Sequence, residues 1–181
     1  MCVISEAPAP DVVDVLVATL RRAGARRVLE IGTGPGDSAL AIAAALPAEG
    51  MLLTLERDAQ VAGEARHRLA AAGVAAKVSV LIGDASRYLH KIAGPFDLIF
   101  QNGDPAQCDA SLERLIALLR PSGILVTNHS NHGADYNNRL AADPRLSSSF
   151  LTIGNGVTIS VKHAASGELS QRRGFCPENA T

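Results

Sequence analysis

A glycine-rich turn between an apolar run and a helical stretch most constrains what this chain can fold into. Residues 28–31 read Val-Leu-Glu-Ile, and Gly32, Gly34 and Gly36 follow at alternate positions before a helical stretch that begins at Asp37. Glycine suits a turn with positive φ or close backbone approach, because it has no Cβ. A strand, a tight turn and a helix N-terminus predict a site for a small polar ligand. The alternative is a β–α turn that binds nothing.

Two acidic residues end the next apolar runs. Glu56 follows the run 51–55, about 20 residues after the glycines, where an acid in a nucleotide-binding α/β fold accepts hydrogen bonds from ribose hydroxyls. The alternative is that Glu56 caps the following helix together with Asp58. Asp84 follows the run 78–82 and is either a ligand contact or the N-cap of the next helix, because Asp is a favoured cap.

Composition narrows the class of protein. The 181 residues have the length of one domain, and the 47% of hydrophobic residues suffice for a substantial core. A net charge of −1 gives no electrostatic reason to expect nucleic acid, and 3% aromatic residues provide few stacking platforms. The three cysteines are odd in number and widely spaced, which argues against disulfides and a Cys-type zinc site. No apolar run reaches the length of a membrane span, so we expect a cytoplasmic protein without a membrane partner.

Strand-like and helix-like segments alternate along the chain, which is typical of a parallel sheet covered on both faces. The predicted strands lie near 27–31, 51–56, 77–82, 96–101 and 122–127. The predicted helices lie near 11–23, 37–46, 58–72, 85–92, 108–119 and 134–142. Gly154-Asn155-Gly156 lies between the runs 150–153 and 157–161, which indicates a hairpin. We therefore expect one α/β domain over residues 1–163 and a polar C-terminal tail over 164–181.

Four segments resemble one protein family. They are Glu30-Ile-Gly-Thr-Gly-Pro-Gly-Asp-Ser-Ala-Leu, Gly94-Pro-Phe-Asp-Leu-Ile-Phe, Leu118-Leu-Arg-Pro-Ser-Gly-Ile-Leu-Val and Ala142-Asp-Pro-Arg-Leu. Together they resemble the class I S-adenosylmethionine (SAM) methyltransferases, and within them the catechol and caffeoyl-CoA type of O-methyltransferase, over roughly residues 8–163. The resemblance implies a Rossmann-like, mostly parallel sheet of seven strands in the order 3-2-1-4-5-7-6, with helices on both faces and a C-terminal antiparallel hairpin. It also implies transfer of a methyl group from SAM to a small-molecule hydroxyl or amine.

The same resemblance implies a set of cofactor contacts. The methionine part of SAM would be surrounded by Gly32, Thr33, Gly34, Gly36 and Ser38. Glu56 would hold the ribose, and Asp84 and Ala85 would lie at the adenine. Glu30, Arg57 and Gly83 complete the predicted cofactor site.

The chain departs from the family where the chemistry takes place. Such enzymes usually bind Mg²⁺ through an Asp after strand 4 and an Asp-Asn pair after strand 5, and a nearby Lys acts as the base. Here these positions are Asn102, Asn128-His129 and Pro105. Mg²⁺ favours carboxylate oxygens, so we expect no metal ligands and no magnesium cofactor. The alternative is that Asp104 supplies one compensating carboxylate.

Three residues are candidates for catalysis: His129, Asp104 and Asn102. An imidazole titrates near neutral pH and could take a hydroxyl proton, which favours His129 as the base. Alternatively His129 only satisfies loop hydrogen bonds, and the chain binds SAM without turnover as a regulator or a non-catalytic subunit. A transition-metal pair with His132 and a nucleotide-dependent oxidoreductase are weaker alternatives, the latter because the turn is not G-x-G-x-x-G.

The acceptor site depends on a polar segment after the fifth strand. Residues 128–138 are rich in hydrogen-bonding groups, and Asn131 and Tyr136 are candidate contacts for a polar acceptor. The expected partner is a small molecule, and a homodimer is left open.

Overall fold

The computed structural model describes residues 7–103, 105–128 and 134–164, without the side chains of 105–109 and 134. Helices and strands alternate through the first two thirds of the chain. They are α1 (Pro10–Ala23), β1 (Arg27–Ile31), α2 (Asp37–Ala45), β2 (Met51–Glu56), α3 (Ala59–Ala71), β3 (Val78–Ile82), α4 (Ala85–Tyr88), β4 (Phe96–Gln101), α5 (Pro105–Leu118), β5 (Leu119–Asn128), α6 (Ala134–Ala142), β6 (Leu146–Leu151) and β7 (Val157–Lys162). A short 3-10 turn, Ala75–Lys77, precedes β3.

The strands form one sheet of seven in the order β3-β2-β1-β4-β5-β7-β6. The first five strands pair in parallel, whereas β7 runs antiparallel to both β5 and β6. The α/β class, the strand order and the antiparallel end are therefore confirmed. The predicted tail lies outside the described residues except for residue 164.

Both faces of the sheet are covered, because alternate side chains of each strand point to opposite sides. Val28 of β1 packs in a cluster with the helices α1, α2 and α3, and its neighbour Leu29 packs in a second cluster with α5 and α6. Both side chains are fully buried. This double burial explains why the strands read as continuous apolar runs. No helix in the described part of the chain is long and apolar enough to cross a membrane.

Helix α4 is shorter than the sequence predicts. Its helical residues end at Tyr88, whereas a helix was expected as far as residue 92. The carbonyl groups of Leu89 and Ile92 accept hydrogen bonds from the Arg114 guanidinium of α5, at 3.0 and 2.8 Å. A long-range side-chain contact thus satisfies carbonyl groups that have no helical partner after α4 ends.

Strands β5 and β6 both begin earlier than expected. Strand β5 starts at Leu119 rather than near residue 122, and its pairing with β4 shifts register between Phe96 and Leu98. Strand β6 starts at Leu146 rather than at residue 150. Its polar run 147–149 lacks the apolar alternation that marks a strand, but it pairs with β7 and Ser148 bonds the Ser160 hydroxyl at 2.8 Å.

Candidate functional site

The carboxyl ends of the five parallel strands lie at one edge of the sheet. The N–H of Gly32, just after β1, donates to the carbonyl of Leu55 on β2 at 2.9 Å, and the N–H of Asn102, just after β4, donates to the carbonyl of Ile31 at 2.9 Å. The strand order reverses between β1 and β4, and ligands of open α/β sheets bind at such a switch point. The glycine turn therefore lies at the expected ligand crevice.

The first and third glycines of the turn are required by packing. Gly32 has φ +89°, and a Cβ there would lie 2.7 Å from the carbonyl oxygen of Asn102. Gly36, at φ +94°, precedes α2, and its Cβ would lie 3.2 Å from the Cβ of Ala65 on α3. The two glycines thus let the turn approach β4 on one side and α3 on the other.

Glu56 ties the glycine turn to the end of β2. Its side chain is 5% exposed, and its two carboxylate oxygens accept from the N–H of Gly34 at 2.9 Å and of Asp58 at 3.0 Å. The cap of α3 is Asp58, which accepts from the N–H groups of Gln60 and Val61. The capping role proposed as the alternative for Glu56 therefore belongs to Asp58. Each Glu56 oxygen keeps a further lone pair for a ligand hydroxyl.

Glu30 is buried beneath the turn. Its Oε2 accepts a hydrogen bond from the Thr54 hydroxyl at 2.6 Å, and the Thr54 and Thr33 hydroxyls are 2.6 Å apart. Within the described residues, Glu30 Oε1 and Ser38 Oγ have no hydrogen-bond partner, although both are buried. Glu30 thus lies under the predicted methionine subsite with one oxygen unsatisfied.

The environment of Glu30 shifts its ionisation. Burial raises the pKa of Glu30 to about 7, the nearby Ser38 and Thr54 hydroxyls oppose the rise, and the charge of Glu56 adds to it. Burial disfavours the charged form because the low-dielectric interior solvates it poorly. The carboxyl therefore titrates near neutral pH.

At the end of β3, the predicted helix cap is confirmed. Asp84 accepts from the N–H and the hydroxyl of Ser86, at 2.8 and 2.6 Å, and caps α4. Gly83 has φ +142°, and a Cβ there would overlap the ring of Tyr88. Ala85 is buried at the first position of α4, and Arg57 lies partly exposed next to Glu56. These residues lie at the edge of the sheet that also carries the glycine turn.

The two asparagines at the expected metal positions bind each other. Asn128 Nδ2 donates to Asn102 Oδ1 at 2.8 Å, and both side chains are buried, at 4% and 3% exposure. An amide-to-amide hydrogen bond always places one N–H donor between the two groups, whichever way each amide is oriented. Among the described residues, no group of three or more His, Cys, Asp or Glu side chains could hold a metal ion. The pair does not fit a magnesium site.

Several predicted residues lie outside the described part of the chain. They are Asp104, His129, Asn131 and His132. The catalytic assignments of His129 and Asp104 therefore stay predictions, and Asn102 is the one candidate catalytic residue whose surroundings are described.

A buried polar cluster includes the residues that precede the two asparagines in the chain, and it was not predicted from the sequence. The Tyr136 hydroxyl donates to Gln101 Oε1, and the Thr127 hydroxyl lies 3.4 Å from the same oxygen. Tyr136 is 3% exposed and packs in the core on α6, a helix that the sequence predicts, and its role as an acceptor contact stays a prediction. The available signal was Gln101 itself, a polar residue that ends the apolar strand β4 as Glu56 ends β2.

Comparison with known proteins now identifies the family. The family model described as O-methyltransferase matches residues 9–133. The chain belongs to this O-methyltransferase family. It is 39% identical over 110 residues to a catechol O-methyltransferase of Mycobacterium tuberculosis, covering 60% of this chain and 50% of that protein. It is 31% identical over 169 residues to catechol O-methyltransferase domain-containing protein 1 of Mus musculus, covering 81% of this chain and 64% of that protein. The chain thus spans between half and two thirds of the length of these two O-methyltransferase relatives.

Solved O-methyltransferase structures share the fold. The O-methyltransferase TomG of Streptomyces achromogenes, in complex with SAM, superposes with a TM-score of 0.78 at 28% identity, covering 88% of this chain and 82% of that one. The O-methyltransferase of Bacillus cereus, in complex with S-adenosylhomocysteine (SAH), superposes with a TM-score of 0.79 at 26% identity, covering 86% of this chain and 82% of that one.

Proposed function

We propose that this chain is a SAM-dependent O-methyltransferase that moves a methyl group to a small-molecule hydroxyl or amine without Mg²⁺. The observation that carries the metal-free part is the hydrogen bond between Asn102 and Asn128, which lies beside the glycine turn. The turn supports cofactor binding, and the asparagine pair argues against the metal. The proposed function therefore includes SAM binding at the turn and does not include a magnesium ion.

The residues around the turn fit SAM. The turn and the N-terminus of α2 offer backbone N–H groups to the cofactor carboxylate, and Glu56 offers lone pairs to the ribose. The proposed methionine contacts are Glu30, Gly32, Thr33, Gly34, Gly36 and Ser38, and the proposed adenine contacts are Gly83, Asp84 and Ala85. Bound SAM supplies an electrophilic methyl group on its sulfonium. TomG and the Bacillus cereus enzyme, solved with SAM and SAH, lend support from their shared fold.

A neutral pair cannot replace two carboxylates at a magnesium site. Mg²⁺ loses its hydration shell reluctantly and is held through carboxylates, whereas Asn102 and Asn128 carry no charge and the Asn128 amide directs an N–H at the Asn102 oxygen. Methyl transfer still works without a metal, because its rate depends strongly on alignment of the nucleophile with the methyl group and sulfur. We propose that Asn102 orients the acceptor through a neutral hydrogen bond.

Restoring the carboxylates is expected to create a metal site. In the double variant Asn102→Asp/Asn128→Asp, two adjacent buried acids repel each other, so the melting temperature should fall without metal and recover with Mg²⁺. Differential scanning fluorimetry and calorimetric titration with MgCl₂ measure both effects. The wild type should show no saturable Mg²⁺ binding up to millimolar concentration. Asn155→Asp, in the β6–β7 turn, controls for an added charge.

Metal independence has a direct test in turnover. SAH formation is measured with SAM and a panel of small phenols and amines, first with MgCl₂ and then with EDTA. Equal rates in both conditions support the proposal, whereas a rate that EDTA abolishes and Mg²⁺ restores contradicts it. Tight SAM binding without turnover on any acceptor would favour the second candidate, a SAM-binding protein without catalysis. The presence of Asn102 and Asn128 where the family has aspartates is compatible with that candidate too.

We further propose His129 as the general base. His129→Ala is then expected to lower kcat about 10² to 10⁴-fold, the usual contribution of a positioned base, while the Kd for SAM changes less than about twofold. Stopped-time SAH assays and calorimetry measure the two quantities. Asp104→Asn is the comparison variant: a larger loss of kcat there than in His129→Ala would transfer the role to Asp104.

A further inference from the structure

Three buried side chains form a hydrogen-bonded relay beneath the glycine turn. Thr54 donates its hydroxyl hydrogen to Glu30 Oε2 at 2.6 Å, so its oxygen is left to accept from Thr33, 2.6 Å away. Glu30 and Thr54 are fully buried, and Thr33 is 2% exposed. Thr33 belongs to the turn, where its own N–H donates to the carbonyl of Leu55. The relay thus joins a buried acid to the backbone loop at the cofactor crevice.

The protonation state of Glu30 decides the direction of this relay. A carboxylate only accepts hydrogen bonds, so the hydrogens run from Thr33 to Thr54 to Glu30. A protonated Glu30 can instead donate to Thr54, which then donates to Thr33, and the Thr33 hydrogen becomes available outside the relay. Titration of one buried group therefore changes whether the Thr33 hydroxyl offers a lone pair or a hydrogen to a neighbour.

We propose that Glu30, Thr54 and Thr33 couple the affinity for SAM to the ionisation of Glu30, and that the ionised form binds SAM. This inference rests on the proposed function, because it concerns the same cofactor. SAM carries two positive groups, the sulfonium and the ammonium, and one carboxylate. With Glu30 ionised, the relay leaves a lone pair of the Thr33 hydroxyl for the ammonium group, whereas with Glu30 protonated it leaves a hydrogen, which a cation repels. Glu30 and Thr54 are then positioning residues that act on the turn.

The surroundings of Glu30 support a titration in the relevant range. Burial raises the pKa of Glu30 to about 7, and Glu56 on β2 adds to the rise. Its register partner on β4 is the uncharged Phe100. Four charged groups of the helices on this face are engaged elsewhere: Asp37 of α2 with Arg68 of α3, Arg66 of α3 with the carbonyl of Val80, and Asp11 of α1 with the N–H groups of Val12 and Gly154.

The test is the Kd for SAM between pH 5.5 and 7.5, measured by calorimetry on the intact protein. For the wild type we expect affinity to fall about 25-fold from pH 7.5 to 5.5, because Glu30 has a pKa of about 7 and each pH unit below the pKa costs about tenfold. Glu30→Gln mimics the protonated acid, so it should bind SAM at every pH at least as weakly as the wild type does at pH 5.5. The α-amino group of SAM titrates at about 7.7 to 8.0, above this range and equally in both proteins.

Two threonine variants separate the relay from simple charge attraction. Thr54→Val removes the link between Glu30 and Thr33, so it should lose most of the pH dependence. Thr158→Val removes an equally buried hydroxyl on β7 and should keep the wild-type profile. Thermal unfolding of each variant shows whether it is folded at the assay pH.

Each outcome decides the inference. A wild-type pH profile in Glu30→Gln would overturn it, and a full pH dependence in Thr54→Val would overturn the relay and leave a direct charge effect. A pH-independent Kd in a wild type that still transfers methyl groups would overturn the inference alone. Absence of SAM binding at every pH would overturn the proposed function, and the relay with it.

Discussion

Replacing Gly32 with alanine is expected to destabilise the protein by about 3 kcal/mol or more and to weaken SAM binding at least a hundredfold. The backbone of Gly32 has φ +89°, which costs about 1 to 2 kcal/mol for a residue with a Cβ. The new Cβ would also lie 2.7 Å from the carbonyl oxygen and 2.9 Å from the carbonyl carbon of Asn102. Backbone atoms cannot rotate away as a side chain does, so the turn must separate from β4, at a further cost of about 1 to 3 kcal/mol.

Gly73→Ala is the matched control. Gly73 has φ +73°, but no atom outside its immediate neighbours lies within 4 Å of its Cβ position. It should therefore show the backbone strain alone, about 1 kcal/mol, with unchanged SAM affinity. Urea unfolding gives the free energies and calorimetry gives the Kd values. If Gly32→Ala were no more harmful than Gly73→Ala, the close contact between the turn and Asn102 would not be important for either property.

The parts of the fold that the sequence predicted depend on local signals. The glycine spacing at residues 32–36 indicates a turn without reference to the rest of the fold. Asp58 and Asp84 occupy positions where a short acidic side chain caps a helix. The strand order came from the family resemblance and is confirmed. The acid at the end of β2 was also recognised from its distance in sequence to the glycines, and Glu56 does contact the turn through Gly34.

The parts that the sequence did not predict depend on pairs of residues far apart in the chain. Asn102 and Asn128 are separated by 26 positions, and only the pairing of β4 with β5 brings them together. Tyr136 lies on a predicted helix, but only the packing of α6 against the core brings its hydroxyl to Gln101. The buried relay under the turn likewise requires the β1–β2 register, which sets Glu30 opposite Thr54. The local sequence around a polar residue at the end of an apolar run does not show whether that residue joins a buried hydrogen-bond network or contacts a ligand.

Glu30 is also expected to make stability fall as the pH rises towards neutral. Its pKa is raised from 4.5 to about 7 in the folded protein, so between these values the folded state binds a proton that the unfolded state has released. Stabilisation by the protonated form is complete below about pH 4.5 and is lost as the pH passes 7. The shift corresponds to about 3 kcal/mol.

Glu30→Gln isolates this contribution, since glutamine keeps an acceptor for Thr54 and does not titrate. We expect the free energy of unfolding of the wild type to fall by about 3 kcal/mol more than that of Glu30→Gln between pH 4.5 and 8, measured by urea unfolding without SAM. Asp37, whose pKa is lowered by its hydrogen bond to Arg68, loses its stabilisation at lower pH in both proteins, so it cancels in the difference. Parallel curves for the two proteins would mean that Glu30 ionises in the folded state as it does in the unfolded chain. If the curves diverge as expected, the folded protein keeps an ionised acid under the turn at neutral pH against its own stability, and the positive charge of bound SAM would offset that cost.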